Sequence, residues 1–182
     1  PALASSWFAG CVGGSPGRAF VPCPEDLVFS EINYQSAVLA DAGDWVELWN
    51  TSPTPLDISG WTFRDEDASH HFDIPLNTVL PGSGRLVLVE DTVLFKNRFP
   101  LITNFAGPFG FGLSSAGEAI RLYDNTGRLY QSMVYDNASS WPQGANGNGY
   151  TLELVDENGN LCDGSNWVDG CPEGSPGKAL VV

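Results

Sequence analysis

Residues 44–65, DWVELWNTSPTPLDISGWTFRD, read as strand, turn-rich crossover, strand. Successive strand side chains alternate faces, so Val46 and Leu48 point one way while Trp45, Glu47 and Trp49 point the other. Asn50 ends the strand. Pro53 and Pro55 cannot donate to a central ladder, which takes 51–55 out of the sheet. Leu56 and Ile58 are expected to pin the crossover to the core, and Gly60 permits a corner before Trp61, Thr62 and Phe63. The two aromatics of that triplet share one face and suit a strand packed on a second sheet. Together these features predict a β-sandwich.

The flanking sequence extends the same reading. LVFSEINY at 27–34 alternates apolar and polar residues and predicts the first strand, followed by a loop at 35–43. RDEDASHH at 64–71 is a polar connection, and Pro75 makes 72–80 an edge or irregular passage. After the PGSG turn at 81–84, RLVLVE at 85–90 is apolar on both faces, as expected of a strand at the centre of the sandwich. DTVLFKNRF at 91–99 is the one helical segment, capped by Asp91 and stopped by Pro100. FAGPFGFGLSS at 105–115 alternates aromatics with glycines and is expected to run extended, each glycine admitting a close neighbour. Strands at 118–123 and 128–135 around the turn 124–127 form the clearest hairpin. A loop at 141–149, a strand at 151–155 and a turn at 156–160 lead to Cys162.

The chain has 182 residues, enough to bury a substantial core in one main domain without covalent staples. Its 8 Lys plus Arg against 22 Asp plus Glu give a net charge of −14, which repels phosphate backbones and anionic membrane surfaces. Nucleic acid is therefore not an expected partner. The acidity suits a soluble surface kept apart by repulsion, or a salty or cation-rich exterior. No apolar run is long enough to span a bilayer, so membrane insertion is not expected. The sequence opens at Pro1 with no charged n-region and apolar h-region, and it is read as an excised piece of a longer protein.

An internal repeat stands at the two ends. SSWFAGCVGGSPGRAFV at 5–21 aligns without gaps on SNWVDGCPEGSPGKALV at 165–181, with 10 of 17 positions identical. Such a repeat means either two equivalent terminal strands of one domain or a tandem array cut across its units. The array is preferred, because the residues between the copies make one sensible domain. On that reading 1–22 is the closing strand of a preceding repeat plus linker, and 23–182 is the full unit. The orphaned strand is then available to a sheet edge of its own unit or of a strand-exchanged neighbour.

Cys11, Cys23, Cys162 and Cys171 are too widely spaced for a zinc ribbon. Their even number and terminal placement favour disulfides and an oxidising compartment. Proximity favours Cys11 with Cys23 and Cys162 with Cys171, among the three pairings that four cysteines permit. Each bridge would contribute about 3 kcal/mol on the chain-entropy estimate.

DWVELWN, PLDISGWTFRD, LPGSGRLVLVE, a short helix, FGFGLSSAGEAIRLYD and a closing Trp with GSPG together resemble the lamin tail domain found in exported bacterial proteins. The resemblance covers nearly all of 27–182. It implies an all-β, immunoglobulin-like β-sandwich with one short helix, used as an accessory module and carrying no catalytic residues. It also implies an extracellular or cell-surface location. The sequence has no heptad rod and no C-terminal Cys-a-a-X box, so filament and nuclear-envelope roles are not carried over.

Candidate binding residues follow from chemistry. Trp45, Trp49 and the loop residue Trp141 would, if solvent-facing, stack on a glycan or take a partner protein's apolar residue; cover by a second sheet or a neighbouring unit is the alternative. Asp156, Asn158, Asn160 and Asp163 offer hard oxygens to calcium but lack the closing glutamate of an EF-hand, so an Asx-rich turn is preferred and no cofactor is assigned. His70 and His71 stand beside Asp65, Glu66 and Asp67, which leaves a small metal-assisted hydrolase as the alternative function. Adjacent residues of an extended chain point apart, and no GxSxG-type nucleophile accompanies them. A non-catalytic adhesion or targeting module, binding a protein or a glycan, is the preferred expectation.

Overall fold

The computed structural model describes residues 26–180. The N-terminal repeat copy, Cys11 and Cys23, with the expectations that fall on them, lie outside the described residues. Two facing sheets make the sandwich. The first contains β1 (Leu27–Asn33), β2 (Trp45–Asn50), β7 (Arg85–Val89), β8 (Phe105–Ala106), β11 (Leu152–Leu154) and β12 (Trp167–Asp169), in the order β12-β11-β1-β2-β7-β8. The second contains β4 (Thr62–Arg64), β5 (Phe72–Asp73), β9 (Gly117–Tyr123) and β10 (Leu129–Asp136), in the order β10-β9-β4-β5. A small ribbon of β3 (Leu56–Asp57) and β6 (Val79–Leu80) carries the crossover that the two prolines force out of the sheet.

The inner faces meet as the alternation requires. Phe29, Ile32, Val46, Leu48 and Leu88 of the first sheet are fully buried against Phe63, Ile120, Leu122 and Met133 of the second. Phe29 and Phe63 meet edge to face at 6.3 Å. Ile58 is fully buried and Leu56 packs against the same core, so the crossover is pinned where the sequence placed it. The expected hairpin is β9–β10, and Asp124 and Gly127 close its turn.

The helix α1 (Thr92–Arg98) is capped by Asp91, whose Oδ1 accepts the N–H groups of Val93 and Leu94 at 2.7 and 3.0 Å. It corrects one expectation: β7 is not at the centre of its sheet but next to the edge strand β8. Its outward Val87 and Val89 are buried because α1 and the chain behind it lay Phe95, Phe99 and Phe105 over them. Gly107 follows β8 so closely beneath β7 that a Cβ there would lie 2.5 Å from the Val89 carbonyl oxygen, the close approach that the aromatic-glycine run predicts. A second apolar cluster on the outer face of the first sheet results.

The remainder of that outer face is acidic. The pairings Val168↔Glu153, Glu153↔Glu31, Glu31↔Glu47, Glu47↔Val87 and Val87↔Phe105 trace one straight row across six strands, with three glutamates in the middle. All three are buried, because residues 170–178 cross over them as a strap.

Candidate functional site

The glutamate row owes its burial to donors that the strap brings. Cys171 N–H donates to Glu153 Oε1 at 2.9 Å, Ser175 N–H to Glu31 Oε1 at 2.8 Å, and Gly177 N–H to Glu47 Oε2 at 2.6 Å. The Ser175 hydroxyl adds a bond to Glu153 at 3.0 Å, and the Thr151 hydroxyl donates to Glu31 at 2.6 Å. Glu47 also ion-pairs with Arg85 at 2.6 Å and accepts from the Ser30 hydroxyl at 2.6 Å. Burial, and then the charge of Glu153, push the Glu31 carboxyl up to about 8, and burial raises Glu47 despite Arg85. A cavity of about 200 Å³ opens beside the row, lined by Trp49, Arg85, Glu157 and Lys178 among others. Because the strap uses the carboxylate oxygens as acceptors, the row is built to hold a segment of chain.

The tryptophans require correction. Trp45 is fully buried beneath α1, edge to face with Phe95 and Phe99 at 6.1 and 6.2 Å, and Trp141 is buried against Trp167 at 6.3 Å. Neither ring is available to stack on a ligand, since each covers apolar surface that would otherwise meet water. The ring of Trp45 is covered by α1 of its own domain, rather than by the second sheet or the neighbouring unit expected as the alternative. Trp49 stays half-buried with the Arg85 guanidinium 4.5 Å over its ring. It is the one of the three that borders open space.

Asp156, Asn158, Asn160 and Asp163 lie in the connection from β11 to β12. Asp156 Oδ1 accepts Asn158 N–H at 3.0 Å, Asn160 Oδ1 accepts Cys162 N–H at 2.9 Å, and Asp163 Oδ1 accepts Ser165 N–H at 2.9 Å. Three consecutive Asx turns therefore use these oxygens locally. Among the described residues no group of three or more His, Cys, Asp and Glu is placed to hold a metal ion.

The expected bridge between Cys162 and Cys171 is not formed; both are free thiols. Different partners hold them: Cys162 Sγ accepts Val134 N–H of β10 at 3.3 Å, while Cys171 is fixed through its own N–H to Glu153. Burial raises both thiols, and Glu153 and Glu31 add to the shift at Cys171.

His70 and His71 diverge, as adjacent residues of an extended chain should. His70 Nδ1 lies 2.6 Å from Asp65 Oδ2 and its ring stacks on Phe111 at 4.8 Å, whereas His71 is exposed and reaches only the Ser69 carbonyl oxygen at 3.4 Å. The hydrogen bond that the His70 ring donates to the buried Asp65 carboxylate raises His70. Asp65 Oδ1 accepts Asp67 N–H at 2.8 Å, so the pair is tied into the turn, and the histidines do not converge on one point.

Two features escaped the sequence reading. One is the glutamate row; its signal was the presence of Glu31, Glu47 and Glu153 at outward positions of three strands, flanked in sequence by apolar residues except for Ser30. The other is an open groove of about 670 Å³ between the β4–β5 edge and the hairpin turn, lined by Thr62, Asp73, Ile74, Leu76 and residues 124–127. Leu76 is 77% exposed in it. No helix among the described residues is long and apolar enough to cross a membrane.

Fold and site together define an immunoglobulin-like β-sandwich with polar grooves at its surface. The family model of the lamin tail domain matches residues 22–137, well over half of the chain, and the chain belongs to that family. The match stops before β11 and β12, which the structure pairs in series onto β1. No curated protein matches the chain.

Proposed function

We propose that this lamin tail domain is a non-catalytic binding module of a larger exported or cell-surface protein, used for adhesion or targeting, and that its partner is a protein. The observation that carries the reading is the groove beside β5, where Leu76 is exposed between Asp73 and Asp124. An apolar side chain flanked by lysine or arginine fits that chemistry, because the apolar contact and both carboxylates are then used at once. The edge position of β5 adds unpaired backbone groups to the same surface. A glycan reading loses support with the burial of Trp45 and Trp141, the rings that would have stacked on sugar.

The hydrolase alternative needs His70 and His71 to act together with a nucleophile or a metal. Their divergence, and the use of Asp65 within its own turn, count against it. The test is a screen of the intact chain against arrayed cell-surface proteins and glycans, with Leu76→Asp as the groove variant. Binding to a protein that falls at least tenfold in Leu76→Asp supports the reading, and binding confined to glycans or indifferent to Leu76 rejects it. Turnover of a generic ester or phosphodiester that vanished in His70→Ala would overturn the non-catalytic assignment.

A further inference from the structure

The strap leaves one carboxylate oxygen of the glutamate row unused. Glu47 engages both of its oxygens, with the Ser30 hydroxyl and Arg85 on Oε1 and Gly177 N–H on Oε2. Glu31 takes the Thr151 hydroxyl and Ser175 N–H on Oε1, and its Oε2 lies 3.4 Å from the Ser175 hydroxyl. Glu153 receives Cys171 N–H and the Ser175 hydroxyl on Oε1 alone. Its Oε2 has no donor among the described residues, although the residue is only 2% exposed. An oxygen shielded from water and left without a donor carries a cost that a ligand's donor would remove.

Glu153 lines the cavity of about 200 Å³ beside the row, and the size of that space limits its occupant. At about 30 Å³ for each water-sized group it takes roughly six or seven, which suits one side chain or a small molecule and falls short of a drug-sized ligand. Trp49 forms an apolar wall, since it stands two residues along β2 from Glu47 and so on the same face of the sheet. Leu154, Val155 and Leu180 add apolar surface.

Charge decides what kind of group fits. Glu31 keeps its proton into the neutral range, and Glu47 is neutralised by Arg85, whose guanidinium lies 4.5 Å over the Trp49 ring. The lining then keeps Glu153 and Glu157 against Lys178, one negative charge in excess. An anion is repelled. A metal ion needs several hard oxygens at once, and no group of three or more His, Cys, Asp and Glu among the described residues is placed to supply them. A monovalent organic cation balances the lining. Its head is selected by the oxygen on offer: a guanidinium uses two parallel acceptors, whereas a single free oxygen matches the compact charge of an ammonium. An attached methylene stem has the Trp49 wall to lie along.

We propose that the cavity beside the glutamate row binds a primary alkylammonium group, with Glu153 Oε2 accepting from the ammonium and Trp49 flanking the stem. The site is separate from the groove at Leu76 and does not depend on the partner proposed there. A lysine side chain of another protein and a free monoamine share this chemistry.

Titration of the full 182-residue chain with n-butylammonium, followed by NMR of the amide and indole N–H groups, tests the site. The comparison probes are n-butanol for the uncharged shape, n-butylguanidinium for the competing head, and Nα-acetyl-lysine methylamide for a peptide-borne lysine. n-Butylammonium is expected to give saturable shifts at the Trp49 indole and at the amides of Leu154 and Val155, and n-butanol none. Glu153→Gln, which keeps an acceptor for Cys171 N–H, should weaken binding at least tenfold, and Trp49→Ala at least threefold. If Glu153→Gln fails to fold, Trp49→Ala and the n-butanol comparison decide. Binding of the lysine methylamide within tenfold of n-butylammonium assigns the site to a protein lysine, and weaker binding assigns it to a free amine. Absence of saturable shifts up to about 10 mM, equal shifts from n-butanol, binding indifferent to either variant, or tighter binding of n-butylguanidinium overturns the proposal.

Discussion

Glu31 of β1 stands directly opposite Glu47 of β2, and neither side chain meets solvent. Like charges directly across a ladder repel, and burial removes the water that would screen them. The sheet tolerates the pair because Glu31 keeps its proton into the neutral range while Arg85 and Gly177 N–H compensate Glu47. The strap is thus part of the electrostatics of the fold as well as a cover for it.

A pH dependence follows. Glu31 rises from 4.5 to about 8 and Asp44, chiefly through burial, from 3.8 to about 7. Between the unfolded and folded values the native carboxyls hold protons that the unfolded chain has released, so stability falls as pH rises through roughly pH 4 to 8. Urea denaturation is expected to show the protein more stable at pH 5 than at pH 8 by about 2 kcal/mol or more. Glu31→Gln should flatten that slope and raise stability at pH 8. An unchanged slope in the variant would mean that Glu31 is ionised throughout.

Trp45 and Trp49 lie on the same outer face four residues apart, yet they should respond differently to truncation. Trp45→Ala removes a fully buried ring from between Phe95 and Phe99 and is expected to cost about 3–5 kcal/mol. Trp49→Ala loses a half-buried ring and one Arg85 contact and should cost about 1 kcal/mol. Thermal melts of the two variants compare them directly, and equal losses would contradict the cover of Trp45 by the helix.

The sandwich was legible in the sequence because period-two alternation marks strands locally, as in 44–50, and because Asp91 and Pro100 bracket the helix with chemistry that acts within a turn. What remained hidden was set by contacts distant in sequence. Which side of Trp45 is covered depends on α1, some fifty residues later, and Glu31 becomes a site only when Glu153 and Ser175 arrive from more than a hundred residues away. Alternation reveals that a face exists; it does not reveal what lies over it. The GSPG repeat was visible as a pattern, but its meaning as a row of donors and an obligatory glycine needed the strap in place.

Cys162 and Cys171 are held by separate partners, so a non-reducing peptide map is expected to show no bridge between them. Cys162, packed beside β10, should alkylate more slowly than Cys171 in the native state and equally fast in urea. Recovery of a Cys162–Cys171 peptide would show that the 156–171 connection closes differently in solution.

His70 and His71 offer the sharpest contrast between neighbours. Asp65 holds a raised His70 through a 2.6 Å hydrogen bond, and a raised folded value means that the stabilisation from this ion pair is fully present below the unfolded value of 6.5 and is lost as pH climbs through the folded one. His70→Ala is therefore expected to lower the melting temperature more at pH 5.5 than at pH 8.5. Some loss should persist at high pH, because the stacking on Phe111 and the neutral hydrogen bond disappear as well. His71→Ala, which removes only an exposed ring, should leave both melts unchanged. If the two variants behaved alike, or if His70→Ala had the same effect at both pH values, the Asp65–His70 pair would not be the turn's electrostatic tie.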